Sequence, residues 1–206
     1  TRLAPEAEGH GTDAAIRAFH GDGRIRKRIP LLKAVTATLT ISTGGSAGRE
    51  GPSAQISAGF GSMVADMLGL SPRERRIAMT TGIGAGIGTI FKAPLGGAVL
   101  AAEILYTRDF ESDAIVPAFL ASVIGYAIFG FFEGYTPIFA LGTIVWNIWQ
   151  IPMFLLLGVL CAVFGLLYIF TFYFCRDRFS AAFKRYNLPA YLKPVSGAIL
   201  LGILVL

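Results

Sequence analysis

The feature that most constrains the fold is an apolar run from Met153 to Cys175 that contains no charged residue. A helix needs about 20 apolar residues to cross the hydrocarbon core of a bilayer, so this run is long enough to span it. A second uncharged run extends from Ala114 to Phe132, between Asp113 and Glu133. We therefore predict two ordinary membrane-spanning helices in a multi-pass integral membrane protein.

The composition and the remaining apolar segments support this class. Hydrophobic residues make up 54% of the chain and charged residues only 15%, whereas about a quarter of a water-soluble domain is charged. The other apolar segments are short or interrupted by glycine, proline or one charge: 34–48, 51–65, 77–91, 93–102 and 195–206. Irregular backbone at membrane depth is stable only where protein buries it or water reaches it, so broken helices indicate a permeation site. The predicted fold class is all-α, with broken helices.

The basic residues form short clusters at the edges of the apolar runs, although the net charge is +5. Such clusters are typical of cytoplasmic loops and contacts with lipid headgroups. We predict a lipid bilayer as a partner, no nucleic acid, and a cytoplasmic position for the loop 24–28. The plasma or cell membrane is the expected location.

Motifs for catalysis or cofactor binding do not fit the chain. The glycine-rich stretch 82–88 lacks the third glycine at dinucleotide spacing, and no Gly-Lys is followed by Ser or Thr. Alternating glycines in a helix instead favour close helix packing. The chain has only two cysteines, Cys161 and Cys175, and their spacing matches neither a disulfide framework nor a metal-binding motif. We predict no enzyme, no cofactor and no metal site.

The segment Gly48-Arg49-Glu50-Gly51-Pro52 carries the candidate chemistry. Proline is preset for the first turn of a helix, so we predict that Gly51 and Pro52 open one. The first N–H groups of a helix lack intrahelical partners and attract an anion. Glu50 would lie just before this start, where its carboxylate competes with the anion until it is protonated. The alternative is a glutamate that only caps a helix, but an ionisable group in an apolar stretch favours a gate.

This segment resembles the G-R/K-E-G-P signature of the CLC family of chloride channels and chloride/proton antiporters. Residues 4–11 resemble the stretch that leads into the first anion-binding loop of that family. Residues 81–91, then Ala93-Pro94-Leu95-Gly96-Gly97 and Glu103, resemble the next glycine-rich helix and the A-P-L segment that ends in a glutamate. The ordered set extends over residues 4–104.

The resemblance implies a CLC-type inverted-repeat fold with broken and tilted helices, and two pores in a homodimer. Chloride or a similar small anion would be bound by helix N-termini, and Glu50 would be the gating glutamate. Segments 93–102 and 114–132 would help form the dimer interface. Residues 1–206 would be a partial transmembrane domain that lacks the N-terminal helices and most of the second half. The expected anion pathway is Gly9, His10, Gly11, Gly48, Arg49, Glu50, Gly51 and Pro52.

The chain departs from the family pattern at two places. His10 stands at the serine of the first anion-binding loop, and imidazole donates a hydrogen bond or carries a positive charge. Selectivity or pH response would then differ, unless His10 makes no anion contact. Ile104 stands at the internal proton acceptor of the antiporters, and isoleucine carries no proton. The predicted function is channel-like chloride transport; a chloride/proton antiporter and a transporter of fluoride or nitrate are the alternatives.

Two further charges lie in apolar surroundings. We interpret Glu103 as a buried structural acid paired with a loop, with a place on a proton path as the alternative. We interpret Lys92 as a lysine that reaches the headgroups, with a contribution to the positive potential of the anion pathway as the alternative. Ser71-Pro72 predicts a helix N-cap followed by the first helical residue.

Overall fold

The computed structural model describes residues 4–45, 47–136, 138, 147–187, 189 and 192–205. Their helices are α1 (Thr12–His20), α2 (Ile29–Ser42), α3 (Glu50–Met67), α4 (Pro72–Ile90), α5 (Pro94–Glu103), α6 (Ser112–Glu133), α7 (Ile151–Arg185) and α8 (Leu192–Val205). Short 3-10 turns lie at Pro5–Ala7 and Ile148–Gln150. These described residues contain no β-strand, and the all-α fold class is confirmed.

The two predicted spanning segments lie within α6 and α7. Both helices are long and apolar enough to cross a membrane. α7 has 35 residues and continues past the uncharged run to Arg185, because no glycine or proline follows Cys175 within it and its last residues are mostly good helix formers. Lys184 and Arg185 occupy its last turn, where positive charge interacts favourably with the helix dipole.

The chain divides into two compact units, 1–140 and 141–206. The first contains α1 to α6 and has a hydrophobic core that includes Phe19, Ile29 and Met79. In the second, the apolar side chains of α7 are largely exposed. Such a surface suits a lipid environment, where apolar side chains are not in contact with water.

The start of α4 matches its prediction. The Ser71 backbone N–H donates to the Glu74 carboxylate at 2.9 Å, and the Ser71 hydroxyl oxygen accepts from the Glu74 N–H at 3.4 Å. This reciprocal pair is a capping box, with Pro72 as the first helical residue. The N-cap prediction is confirmed.

α2 ends within the predicted apolar segment 34–48. The helix stops at Ser42, and Gly44 has a left-handed backbone with φ of 81°. The Gly45 N–H donates to the Thr40 carbonyl at 2.9 Å, which satisfies a carbonyl in the last turn. The helix therefore ends at a glycine-containing turn several residues before Gly48.

Glycines on two faces of α4 allow neighbouring helices to approach closely. A Cβ on Gly82 would overlap the Ser57 carbonyl of α3, and one on Gly86 would lie 2.8 Å from the Ser57 Cβ. Gly84 and Gly88 instead face α5 and α6. Residues four apart share a helix face, so the alternating glycines serve two contacts. The helix-packing interpretation of stretch 82–88 is confirmed.

Candidate functional site

The predicted gate residue is the first residue of α3, because the helix begins one residue earlier than predicted. Arg49 already has a helical backbone, with φ −87° and ψ −12°, so Glu50 and not Gly51 is the first helical residue. The Glu50 side chain folds back over Gly48, where an added Cβ would lie 3.3 Å from the carboxyl carbon and overlap Oε2. The carboxylate therefore lies beside the backbone that leads into the helix, and Gly48 leaves it room.

The loop containing Gly9, His10 and Gly11 lies directly against the start of α3. A Cβ on Gly51 would overlap the His10 carbonyl and lie 2.5 Å from the imidazole Nδ1 and 2.6 Å from Cε1. The imidazole is exposed, and its Nδ1 lies 3.1 Å from the Thr12 hydroxyl. The fold thus brings together two predicted segments that lie about 40 residues apart in sequence.

Two helix N-termini meet at the contact between Gly11 and Gly51. Gly11 has φ of 111°, and a Cβ there would lie 2.6 Å from the Gly51 carbonyl oxygen. The next residue, Thr12, begins α1. Because the first N–H groups of each helix carry partial positive charge, two such ends in one place favour an anion.

Two buried polar side chains that the sequence reasoning missed hold this loop. The Lys33 side chain donates from Nζ to the Gly9 carbonyl at 2.7 Å and to the Ala7 carbonyl at 3.0 Å. Gln55 donates from Nε2 to the Glu6 carbonyl at 2.6 Å. Their signal in the sequence was a lone charge in the apolar run of α2 and a lone amide one turn after Gly51 on α3.

An ion pair at the edge of the loop joins it to the basic segment 24–28. The Glu6 carboxylate accepts from the Arg26 guanidinium, and both side chains are about half exposed. This hydrogen bond, together with the nearby positive charge, lowers the pKa of Glu6. The pair therefore ties the 3-10 turn Pro5–Ala7 to the segment before α2.

The other predicted pathway residues lie near these contacts without joining them directly. Arg49 and Pro52 line a groove between α2 and α3, together with Thr38 and Ser53. Gly9 is exposed and left-handed, with φ of 81° and open space where a Cβ would be. The part that the structure brings together is thus His10, Gly11 and Gly51.

Glu103 differs from its prediction. It is the last residue of α5 and its side chain is exposed, so the interpretation as a buried structural acid is wrong. The chain leaves the helix at Ile104, which places Glu103 at the rim of a groove with Tyr106 and Phe110. A place on a proton path stays a prediction.

α1 connects the loop that contains Gly9, His10 and Gly11 with the segment after α5. At its far end, the His20 Nε2 lies 2.6 Å from the Leu105 carbonyl oxygen, and Leu105 follows Ile104 directly. Nearby, Tyr106 donates its hydroxyl to Glu111 at 2.8 Å, and burial, with this bond, raises the pKa of Tyr106. α1 has nine residues, so its two ends lie about 12 Å apart.

Lys92 also differs from its prediction. Its ammonium donates to the carbonyls of Gly134 at 2.7 Å, Thr136 at 3.1 Å and Glu133 at 3.3 Å. These carbonyls lie at and just after the end of α6, where a cation interacts favourably with the helix dipole. The headgroup interpretation is wrong, because the C-terminal end of α6 binds the ammonium.

The chain is similar to several known proteins. The sequence model described as "Voltage gated chloride channel" matches residues 1–206. An uncharacterized protein of Methanocaldococcus jannaschii is 34% identical over 97% of this chain and 49% of its own length. The H(+)/Cl(−) exchange transporter ClcA of Klebsiella pneumoniae is 30% identical over 86% of this chain and 39% of its own length.

A solved structure is also similar. The crystal structure of a slow cyanobacterial Cl−/H+ antiporter matches with a TM-score of 0.82 and 26% identity, over 99% of this chain and 48% of that one. The chain thus spans about half the length of the proteins that it matches.

Proposed function

The chain belongs to the family of voltage-gated chloride channels, and on this premise we propose that it forms part of a pore that carries chloride across a membrane. The observation that supports this most strongly is the contact between Gly11 and Gly51, where the N-termini of α1 and α3 meet. Helix N-termini bind anions through their free N–H groups. In this proposal the segments 9–11 and 48–52 line the anion pathway.

Glu50 is the proposed gate. Its carboxylate folds over Gly48 at the start of α3, close to the N–H groups that would bind the anion. A charged carboxylate competes with chloride for such groups, and protonation removes the competing charge. The gate should therefore open more readily as pH falls.

Channel-like transport is our first proposal, because Ile104 offers no group that carries a proton. An antiporter is the second, and a specific observation supports it. The Klebsiella pneumoniae relative is named a H(+)/Cl(−) exchange transporter, and the similar crystal structure is that of a Cl−/H+ antiporter. Glu103, exposed beside Ile104, is the group that would carry the proton in that case.

The identity of the anion depends on the loop, because His10 occupies the serine position there. The imidazole packs on Gly51, so its charge state and its hydrogen-bond donors act at the meeting point of the two helices. Chloride is the proposed anion, and fluoride or nitrate is the alternative.

The proposal includes a homodimer in the plasma or cell membrane. α5 and α6 carry large exposed apolar side chains, among them Leu95, Val99, Val116 and Leu120. Exposed apolar faces of this size favour burial against lipid or another protein. We propose that α5 and α6 form part of the dimer interface.

Ion flux into liposomes that contain the full-length protein tests the function. We expect chloride flux that rises at low pH in the wild type. In Glu50→Gln, which mimics the protonated state, we expect flux that no longer depends on pH. Glu8→Gln removes the same charge from an exposed residue outside the proposed pathway segments 9–11 and 48–52 and should keep the wild-type pH dependence.

Three results would contradict parts of this proposal. A wild type that carries no chloride would overturn the function itself. Unchanged pH dependence in Glu50→Gln would remove Glu50 as the gate. Uphill proton movement driven by a chloride gradient would replace the channel with an antiporter, and a preference for fluoride or nitrate in competition would replace the anion.

A further inference from the structure

The loop 6–11 has little structure of its own to fix its position. Beyond the 3-10 turn it consists of irregular backbone, and both Gly9 and Gly11 have left-handed φ angles of 81° and 111°. Glycine loses more conformational entropy on ordering than any other residue. A loop of this kind needs contacts from outside if His10 is to stay in one place.

Lys33 supplies two of these contacts from α2. Its side chain is only 4% exposed, yet it is not among the ion pairs formed by the described residues. It binds instead the carbonyls of Ala7 and Gly9. A buried ammonium is costly unless it is hydrogen-bonded, so these two carbonyls strongly favour this one arrangement of the loop.

Gln55 supplies a third contact from α3. Its side chain is 1% exposed, and the bond from its Nε2 to the Glu6 carbonyl fixes which way the amide faces. Its Oε1 is buried without a hydrogen-bond partner in the described part of the chain. This oxygen lies 3.1 Å from the position of a Cβ on Gly11, so the amide also limits how close Gly11 comes to α3.

We propose that Lys33 and Gln55 are positioning residues that hold loop 6–11 from two sides and so set the place of His10 against Gly51. Lys33 fixes the loop to α2 and Gln55 fixes it to α3, the helix whose N-terminus the loop meets. His10 lies between the Lys33-bound Gly9 and the Gln55-facing Gly11. The effect of this arrangement on anion affinity rests on the proposed function, whereas the holding of the loop does not.

Hydrogen–deuterium exchange and chloride binding in the full-length protein test this proposal together. Lys33→Met and Gln55→Leu remove the loop contacts at nearly constant side-chain volume. The loss of a buried hydrogen bond corresponds to about a tenfold change for a charged donor such as Lys33 and about a fivefold change for a neutral donor such as Gln55. We expect amide exchange in residues 9–14 to rise, and chloride binding to weaken, about tenfold in Lys33→Met and about fivefold in Gln55→Leu.

Two matched controls separate this role from general loosening. Lys27→Met removes one positive charge from an exposed lysine of the neighbouring segment. Ser62→Ala removes a buried hydroxyl from α3. This hydroxyl donates to the Gly23 carbonyl and accepts from the Ile25 N–H, and these partners lie outside loop 6–11. Both controls should leave exchange in residues 9–14 and chloride affinity within about twofold of the wild type.

The outcomes distinguish this proposal from the function on which it builds. Unchanged exchange in Lys33→Met and Gln55→Leu, or an equal rise in Ser62→Ala, would overturn the positioning role. A wild type that binds no chloride would overturn the proposed function, while the exchange data would still decide whether the two residues hold the loop. If the first variants fail to fold, Lys33→Gln and Gln55→Asn keep part of the contacts and should show the same localised rise, about threefold.

Discussion

Several glycines of the first compact unit have surroundings unlike those of the helical glycines in the second. In the first unit Gly11, Gly51 and Gly82 lie so close to other backbone that a Cβ would overlap it, or nearly so. In the second, Gly158 and Gly165 of α7 have open space where a Cβ would be, as do Gly197 and Gly202 of α8. The same residue type therefore has a tertiary role in the first unit and none among the described contacts of the second.

This difference shows what each unit requires of its sequence. In the first unit, the candidate site exists because backbones approach closely at defined residues, and one added carbon would separate them. In the second, no described residue lies against the glycines of α7. Matched substitutions in the two units test this comparison.

Gly51→Ala should have the largest effect. The added Cβ would overlap the His10 carbonyl, and overpacking of this kind costs about 1–3 kcal/mol. We expect a clear fall in the melting temperature and loss of most chloride flux. Gly158→Ala should stabilise α7 by up to about 1 kcal/mol, because alanine favours the helix and meets nothing. Equal changes in melting temperature and chloride flux in the two variants would contradict this difference between the units.

Lys92→Met should lower stability through α6. It removes three hydrogen bonds to carbonyls at the end of that helix, a loss of about 2 kcal/mol for a charged donor. Thermal unfolding of the purified protein measures it. Lys193→Met in the second unit removes a contact to Ser180 at 3.4 Å and should change the melting temperature less. A change of anion selectivity in Lys92→Met would instead place Lys92 on the pathway.

His10→Ser should change selectivity more than stability. The imidazole is exposed but lies on Gly51, so its loss removes a donor and a titratable group at the candidate site. We expect a shift of about threefold in the relative flux of chloride and nitrate. His20→Ser, at the other end of α1, removes a bond to Leu105 and should leave this ratio unchanged. If His10→Ser keeps the wild-type selectivity, the alternative that His10 makes no anion contact is correct.

The ion pair between Glu6 and Arg26 should have the smallest effect, because exposed pairs contribute little. The pKa of Glu6 is lowered from its ordinary value of 4.5, chiefly by the hydrogen bond from Arg26. Its stabilisation is thus present above that value and is lost as pH falls through the lowered pKa. In Arg26→Met the melting temperature should fall less than in the wild type as the pH is lowered through this range. Arg176→Met, which breaks an exposed pair with Asp177, should leave it unchanged.

Much of the fold could be predicted from local sequence. The uncharged runs gave α6 and α7, and Ser71-Pro72 gave the start of α4, because these features depend on nearby residues alone. The first residue of α3 was missed by one position, since a proline in the first turn allows more than one starting residue. The burial of Glu103 was predicted wrongly, because a charge at the end of a short apolar run can face either way.

The candidate site was predicted in its residues but not in its supports. Glu50, His10 and Gly51 follow from motifs, whereas Lys33 and Gln55 occupy helices that read as plain apolar segments. Their role depends on loop carbonyls 24 or more residues away in sequence. No local pattern shows which distant carbonyl a lone lysine or glutamine will bind.

The sequence by itself determined that this chain is a helical membrane protein of the voltage-gated chloride channel family, because apolar length and ordered motifs are properties of the linear chain. Only the tertiary structure decided that the N-termini of α1 and α3 lie together at Gly11 and Gly51, and that Lys92 binds the end of α6. These contacts join residues far apart in sequence. Their geometry depends on how closely two backbones approach, and composition does not encode that distance.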